Sequence, residues 1–366
     1  MPLDPNTATI ELTVVVPTFN EHDNIEPLLE RLGAALDGIA WECIIVDDDS
    51  PDGTADKVRA LARRDARVRC LHRIGRRGLS TAVIEGIQAS SAPYIAVIDA
   101  DMQHDETLLP KMLAALKAEG LDIVVGSRYV AGGALGDWDK SRVAISGFAT
   151  RLARLVVAAE LTDPMSGFFV MTRPAFDSAV RRLSAQGFKI LLDLFASTPT
   201  PYRFKELPYQ FRQRIHGESK LDTLVVWEYL MLLLDKLIGH LVPVRFVLFG
   251  VVGTSGVVVH LTTLRLTLMA ASFPVAQTTA TIAAMTSNFA LNNLLTYRDK
   301  RLKGRRFITG LLSFYAVCAI GAIANVGIAS AAFEHHYSWW LAGLAGAAVG
   351  VVWNYAVSSI FTWRQR

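Results

Sequence analysis

Hydrophobic positions along the chain fall into two regimes. Over the first 220 residues, short β-branched runs that end in polar loops alternate with stretches of helical period. LTVVVPTFN (Leu12–Asn20) and ECIIVDDDS (Glu42–Ser50) read as strands, and Ile25–Leu36 between them repeats its apolar residues at helical spacing. Further strands are expected at Val68–His72, Tyr94–Ile98 and Leu121–Gly126, with helices over Ala55–Arg64, Ser80–Ala89 and Glu106–Ala118. Strand and helix in alternation imply a parallel, helix-covered sheet whose site lies at the carboxyl ends of its strands.

From about Pro243 the pattern becomes continuously apolar, over Phe246–Ala270, Val275–Tyr297, Phe307–Phe333 and Trp339–Trp363. Each stretch is long enough to span a bilayer. The second is the most polar, with Thr278, Thr279, Thr281, Asn288, Asn292 and Asn293, groups that pair with one another inside a helix bundle. Lys and Arg gather in RDKRLKGRR (Arg298–Arg306) and in the closing WRQR, while the turns ASFPVAQ and EHHYS carry none. The positive-inside rule then sets both chain ends in the cytoplasm. NFALNNLLTYR (Asn288–Arg298) echoes NYAVSSIFTWR (Asn354–Arg364), and an Arg-Phe pair opens both halves at Arg245 and Arg306, a pattern that suits two parallel hairpin repeats and equally the aromatic-plus-Arg anchors routine where helices leave lipid. LDTLVVWEYLMLLLDKLIGHLV (Leu221–Val242) places Glu228, Asp235 and Lys236 near its middle, which suits a helix lying along the membrane surface better than a fifth span. The expected organisation is a cytoplasmic α/β domain at 1–220, an interfacial linker at 221–242 and an all-α domain of four transmembrane helices at 243–366, in a multi-pass integral membrane protein.

Composition adds little to that division. The first ten residues, MPLDPNTATI, have no basic region leading into an apolar one, so no cleaved secretory signal is expected. Cys43, Cys70 and Cys318 are far apart with no CxxC pair, which points to neither a zinc site nor a disulfide framework. The formal net charge of +3 is too small to mean anything alone, so where the basic residues lie matters more than their sum, and no nucleic-acid partner is expected.

The chemistry concentrates in YIAVIDADMQHDE (Tyr94–Glu106), an apolar run driven into Asp99 and Asp101. Side chains two apart on a strand share a face, so both carboxylates would point the same way if the strand continued. Like charges that close raise one another's pKa, a standing cost unless a cation sits between them. An oxygen-only set suits Mg²⁺ or Mn²⁺, which keep positions open for substrate phosphates. Taken alone, an acidic loop after a strand is an ordinary solvated turn.

It does not stand alone. VVVPTFNE, IIVDDDSPDGT, GLSTAVIEGI, IDADMQH, VVGSRY, DPMSGFFV, GFKILLDL and RIHGESKL occur in that order. Together they resemble the polyprenol- or dolichol-phosphate mannose synthases, family-two glycosyltransferases of the GT-A fold. The membrane half resembles the GtrA-like bundle that some of these synthases carry, so the resemblance spans nearly the whole chain. It implies a Rossmann-like nucleotide-sugar-binding domain of the α/β class, followed by the four-helix membrane domain. It also implies transfer of mannose from GDP-mannose to a polyprenyl or dolichyl phosphate held in membrane lipid.

By the same resemblance, Pro17, Phe19, Glu21, Val46, Asp47 or Asp48, Asp99 and Ala100 would bind the donor nucleotide. Phe19 stands where the family carries tyrosine, which keeps a stacking face and loses a hydroxyl. Asp99, Asp101 and Gln103 would hold Mg²⁺ or Mn²⁺ against the diphosphate. Arg128, Arg142, Ser146, Arg214 and Lys220 match the family's acceptor-phosphate positions, and guanidinium forks suit phosphate oxygens. Lys220 equally suits an anionic-lipid anchor, and Arg151 and Arg154 read as the wet face of a helix. Asp99, Asp101, Arg128, Arg142 and Arg214 form the expected catalytic set. Asp52-Gly53 would turn the chain into a helix capped at Thr54, and VAGGALGDWDKSR, with Trp138, would close over the lipid phosphate.

A phosphate oxygen is anionic at neutral pH, so no general base is required, and a single in-line attack would invert the anomeric centre. One alternative keeps the fold and transfers glucose from a UDP-sugar. A processive polysaccharide synthase is disfavoured because no Arg-Trp pair occurs in the chain. An alternative from another class is a non-catalytic lipid flippase or scaffold.

Overall fold

The computed structural model describes residues 9–134, 152–154, 156–157, 159–184, 187, 189–212, 223–239, 242–335 and 339–364. Two compact units divide after Leu237. In the first, β1 (Leu12–Thr18), β2 (Trp41–Asp47), β3 (Val68–His72), β4 (Tyr94–Val97), β5 (Ile123–Ser127), β6 (Phe169–Thr172) and β7 (Phe204–Pro208) form one sheet of order β3-β2-β1-β4-β6-β5-β7. Among the described residues they are accompanied by α1 (Ile25–Ala35), α2 (Thr54–Ala62), α3 (Leu79–Gln88), α4 (Leu109–Ala118), α5 (Arg173–Ala179) and α6 (Ile190–Ser197).

Strand period sorts the core. Val14 and Val16 face the layer containing Leu28 and Leu32 of α1, Val58 of α2 and Met112 of α4. Val15, between them, faces the layer containing Val83 of α3, Phe176 of α5 and Leu191 of α6. Covered on both faces, β1 and β2 read as continuous apolar runs, as buried strands do.

The sheet is mixed, where strict alternation implied a parallel one: β6 runs antiparallel to both β4 and β5. Its antiparallel sense makes β6 begin at the end where its neighbours finish, so the loop before it reaches the site. The four residues of β6 and the edge strand β7, whose Lys205 and Glu206 interrupt any apolar run, carry too little periodicity to be read from sequence. At the start of α2 the cap also differs from expectation. Asp52 Oδ1 accepts from the Thr54 N–H and hydroxyl, so the capping oxygen belongs to Asp52, and Gly53 takes φ +85°.

The helix α7 (Thr223–Ile238) belongs to this unit through Tyr229, Leu232 and Leu233, which join the layer of α6. Lys236 Nζ lies 2.6 Å from Asp193 Oδ1 and donates to Ser197 Oγ at 2.8 Å. Leu230 and Leu237, seven positions apart, are exposed.

The second unit holds α8 (Val244–Thr267), α9 (Phe273–Leu291), α10 (Arg305–Glu334) and α11 (Trp339–Val357). Among the described residues, Val244–Thr267 and Arg305–Ile323 are long and apolar enough to cross a membrane. The internal echo has a structural counterpart. Both α9 and α11 pass into a π-helical turn, Asn292–Thr296 and Ser358–Thr362, and the equivalent Tyr297 and Trp363 stack at 4.1 Å between centroids. A methyl group at Gly256 would overlap the Asn288 carboxamide, and one at Gly321 would overlap that of Asn354. Each hairpin therefore seats an asparagine in a glycine notch, the close approach that small residues permit in membrane bundles. The Arg-Phe pairs are not equivalent by this measure, since Gly256 and Gly321 lie at different distances beyond them.

Candidate active site

Four parallel strands deliver residues to one end of the sheet: β1 ends before Phe19, β2 before Asp48, β4 before Asp99 and β5 before Arg128. Strand order reverses around β1, which pairs with both β2 and β4, and such a switch point opens a crevice for a ligand.

β4 stops at Val97, so the alternation expected to align Asp99 with Asp101 does not apply. The chain instead turns tightly, with Met102 at φ +59°, a conformation that costs a residue bearing a Cβ. Asp101 is buried, and its Oδ1 accepts from the Gln103 N–H at 3.1 Å. The Gln103 Nε2 donates to the Arg212 carbonyl at 3.2 Å, which turns its Oε1 the other way. Asp99 is held by His104, whose Nδ1 accepts the Asp99 N–H at 3.2 Å, placing the ring proton on Nε2. His104 stacks on Phe168 at 5.2 Å, and burial lowers its imidazole to about 4, so it is neutral at pH 7. Gly167 completes the turn, since a Cβ there would meet Asp99 Oδ2 at 3.2 Å.

Two carboxylates and an amide oxygen fit a hard divalent ion. Among the described residues no group of three His, Cys, Asp or Glu side chains forms a cage. An ion at this turn would keep positions for water and phosphate, as Mg²⁺ does.

On the nucleotide side, Asp47 is fully buried and serves its own turn, accepting from the Thr18 and Ser50 hydroxyls and the Ser50 N–H. Asp48 accepts from Arg73 Nη1 at 2.8 Å and from the Gly78 N–H at 2.7 Å, and burial raises its carboxyl above the usual range. Pro17 and Val46 face each other across the β1–β2 ladder, and Glu21 accepts from Asn24 Nδ2. Ala100 is buried between the two acids. The Arg77 guanidinium lies 4.1 Å from the centre of the Phe19 ring, a cation–π contact.

On the acceptor side, Arg128 Nε and Nη2 donate to Asp163 Oδ2 and Oδ1, both at 2.7 Å. Against the pull of burial, those bonds hold the guanidinium above its usual value. Glu206 of β7 fixes the Asp163 segment, accepting from the Asp163 N–H and from the N–H and hydroxyl of Thr162. Burial, then Arg128, lower the Lys189 ammonium, which also has Asp163 and Asp99 as charged neighbours. Arg142, Ser146, Arg214, Lys220, Trp138 and Arg151 lie outside the described residues, and Arg154 is exposed.

Sequence reasoning missed Arg73, His104, Asp163, Lys189, Glu206 and Arg212. His104, Asp163 and Lys189 stand inside quoted motifs, but nothing local announces their partners.

A sheet with this switch point and an acidic turn after β4 defines a GT-A-like α/β domain. Residues 13–179 match the model of glycosyl transferase family 2, and residues 248–363 match that of the GtrA/DPMS transmembrane domain. Dolichol-phosphate mannosyltransferase of Pyrococcus furiosus is 33% identical over 97% of this chain and 99% of its own. Proteins of the same name from Mycosarcoma maydis and Saccharomyces cerevisiae are each 38% identical, over 66% and 61% of this chain and 85% of theirs. Among solved structures, glucosyl-3-phosphoglycerate synthase of Mycobacterium tuberculosis aligns with a TM-score of 0.44 at 21% identity, covering 62% of this chain and 79% of that one. The chain is a glycosyltransferase and belongs to the dolichol-phosphate mannosyltransferase family.

Proposed function

We propose that the protein transfers mannose from GDP-mannose to a polyprenyl (dolichyl) phosphate with inversion, releasing GDP and a β-mannosyl lipid at the cytoplasmic membrane face. The observation that carries this reading is the match of both units, in one chain, to a relative named for mannosyl transfer to dolichol phosphate. Residues 1–220 would do the chemistry, 221–242 would link along the membrane surface, and 243–366 would cross the membrane four times with both chain ends cytoplasmic. A polyprenyl tail stays in lipid because extracting it into water is costly, so catalysis must occur at the bilayer surface.

Pro17, Phe19, Glu21, Val46 and Asp48 would seat the nucleotide, and Asp99 and Ala100 would border its ribose and diphosphate. Asp99, Asp101 and Gln103 would hold Mg²⁺ or Mn²⁺, which supplies Lewis-acid neutralisation of the departing diphosphate when bound. Arg128, already fixed by Asp163, would bind the acceptor phosphate together with Arg142, Ser146, Arg214 and Lys220. The phosphate oxygen attacks the anomeric carbon in line, and the rate comes from positioning and charge stabilisation.

A donor screen tests this. The purified full chain with polyprenyl phosphate should form a labelled lipid from GDP-mannose and none from UDP-glucose. A glucolipid would move the reading to a glucosyltransferase, and no glycolipid from any donor would favour a non-catalytic scaffold.

A further inference from the structure

We propose that Arg212 is a positioning residue for the metal ligand Gln103. The proposal rests on the functional reading above, in which Gln103 is a ligand.

Arg212 grips the turn at both ends. Its backbone pairs with Gln103 in both directions: the Arg212 N–H donates to the Gln103 carbonyl at 2.9 Å, and Gln103 Nε2 donates to the Arg212 carbonyl at 3.2 Å. Its guanidinium forks across the residues just beyond, Nη1 to Glu106 Oε2 and Nη2 to Asp105 Oδ1, each at 2.6 Å. Glu106 is buried with Arg31 Nη1 at 3.9 Å, and Asp105 also caps the following turn by accepting from the Thr107 N–H and hydroxyl. The fork is therefore anchored to a rigid element, and it holds the Arg212 backbone where the Gln103 amide needs it. One N–H of the Gln103 amide donates to that carbonyl, which orients the amide plane and with it the direction of Oε1. Outer partners of this kind set ligand orientation and carry a large share of metal affinity.

The test is Mn²⁺ binding to the purified full chain, read from the electron paramagnetic resonance of free Mn²⁺ and independent of turnover. Wild type should bind and Asp101→Ala should not. Arg212→Ala should weaken Mn²⁺ about tenfold or more. Arg212→Lys, which keeps the charge but not the fork, should also fall short of wild type, so the proposal remains testable if the alanine variant fails to fold. In a Gln103→Ala background Arg212→Ala should add no further loss, because the route it acts through is gone. Wild-type affinity in Arg212→Lys and Arg212→Ala, or losses that simply add in the double variant, would overturn the proposal. Unchanged binding in Asp101→Ala would instead overturn the metal reading, and this proposal with it.

Discussion

Removing the Asp163 carboxylate should destabilise the first unit far more than removing it together with its partner. Asp163 is fully buried and Arg128 is 9% exposed. Asp163→Ala would strand a desolvated guanidinium whose Nε and Nη2 both bond to the carboxylate at 2.7 Å. At an effective dielectric of ~20, opposite charges at contact attract by ~4 kcal/mol. Losing one member of a buried pair typically costs about 3–5 kcal/mol, while replacing both by apolar residues is often near neutral. For a unit of this size that corresponds to a fall in melting temperature of about 10 °C. The assay is a double-mutant cycle by thermal unfolding of the full chain, using Asp163→Ala, Arg128→Met and the double variant carrying both. The double variant should recover most of the lost stability while remaining inactive. An Asp163→Ala protein melting within about 2 °C of wild type, or a double variant worse than the sum of its parts, would refute the reasoning.

Three further outcomes follow from the same geometry. Asp101→Ala should abolish transfer with the melting temperature retained, and chelation of the wild type should do the same until Mn²⁺ or Mg²⁺ is restored; activity assays with and without chelator check both. Lys236→Ala should leave Asp193 buried without its cation and cost about 3 kcal/mol, seen as earlier proteolytic release of α7. Gly256→Ala and Gly321→Ala should each cost about 1–3 kcal/mol by overpacking, measured as thermal aggregation in detergent, with Asn288→Ala restoring the first and Asn354→Ala the second.

Legibility in the sequence followed the range of the interactions. β1 to β5 and α1 to α4 declare themselves because the burial that shapes them repeats locally, at period two or at helical spacing. The acidic turn is legible for the same reason, since Asp99, Asp101 and Gln103 are neighbours in the chain. What holds that turn is not local: Gln103 meets Arg212, Asp48 meets Arg73, and Arg128 meets Asp163, at separations of 109, 25 and 35 residues. Such pairs are set by the stacking of strands, and a mixed sheet with an antiparallel β6 is what brings the Asp163 loop to the site. His104, three residues after Asp101, is likewise fixed by tertiary contacts, because its ring is flanked by Phe168, Tyr209 and Phe211 and accepts the Asp99 N–H. The glycine notches of the membrane unit are invisible in hydropathy, which weighs Gly256 and Asn288 separately and misses their fit.

The central claim is that a divalent ion at the end of β4 joins the sugar donor to the lipid acceptor. A structure of the full chain with GDP and Mn²⁺, phased at the manganese edge, tests it most directly. An anomalous peak bounded by Asp99, Asp101, Gln103 and the diphosphate is the expected result; manganese and nucleotide bound together elsewhere, with this turn bare, would contradict it.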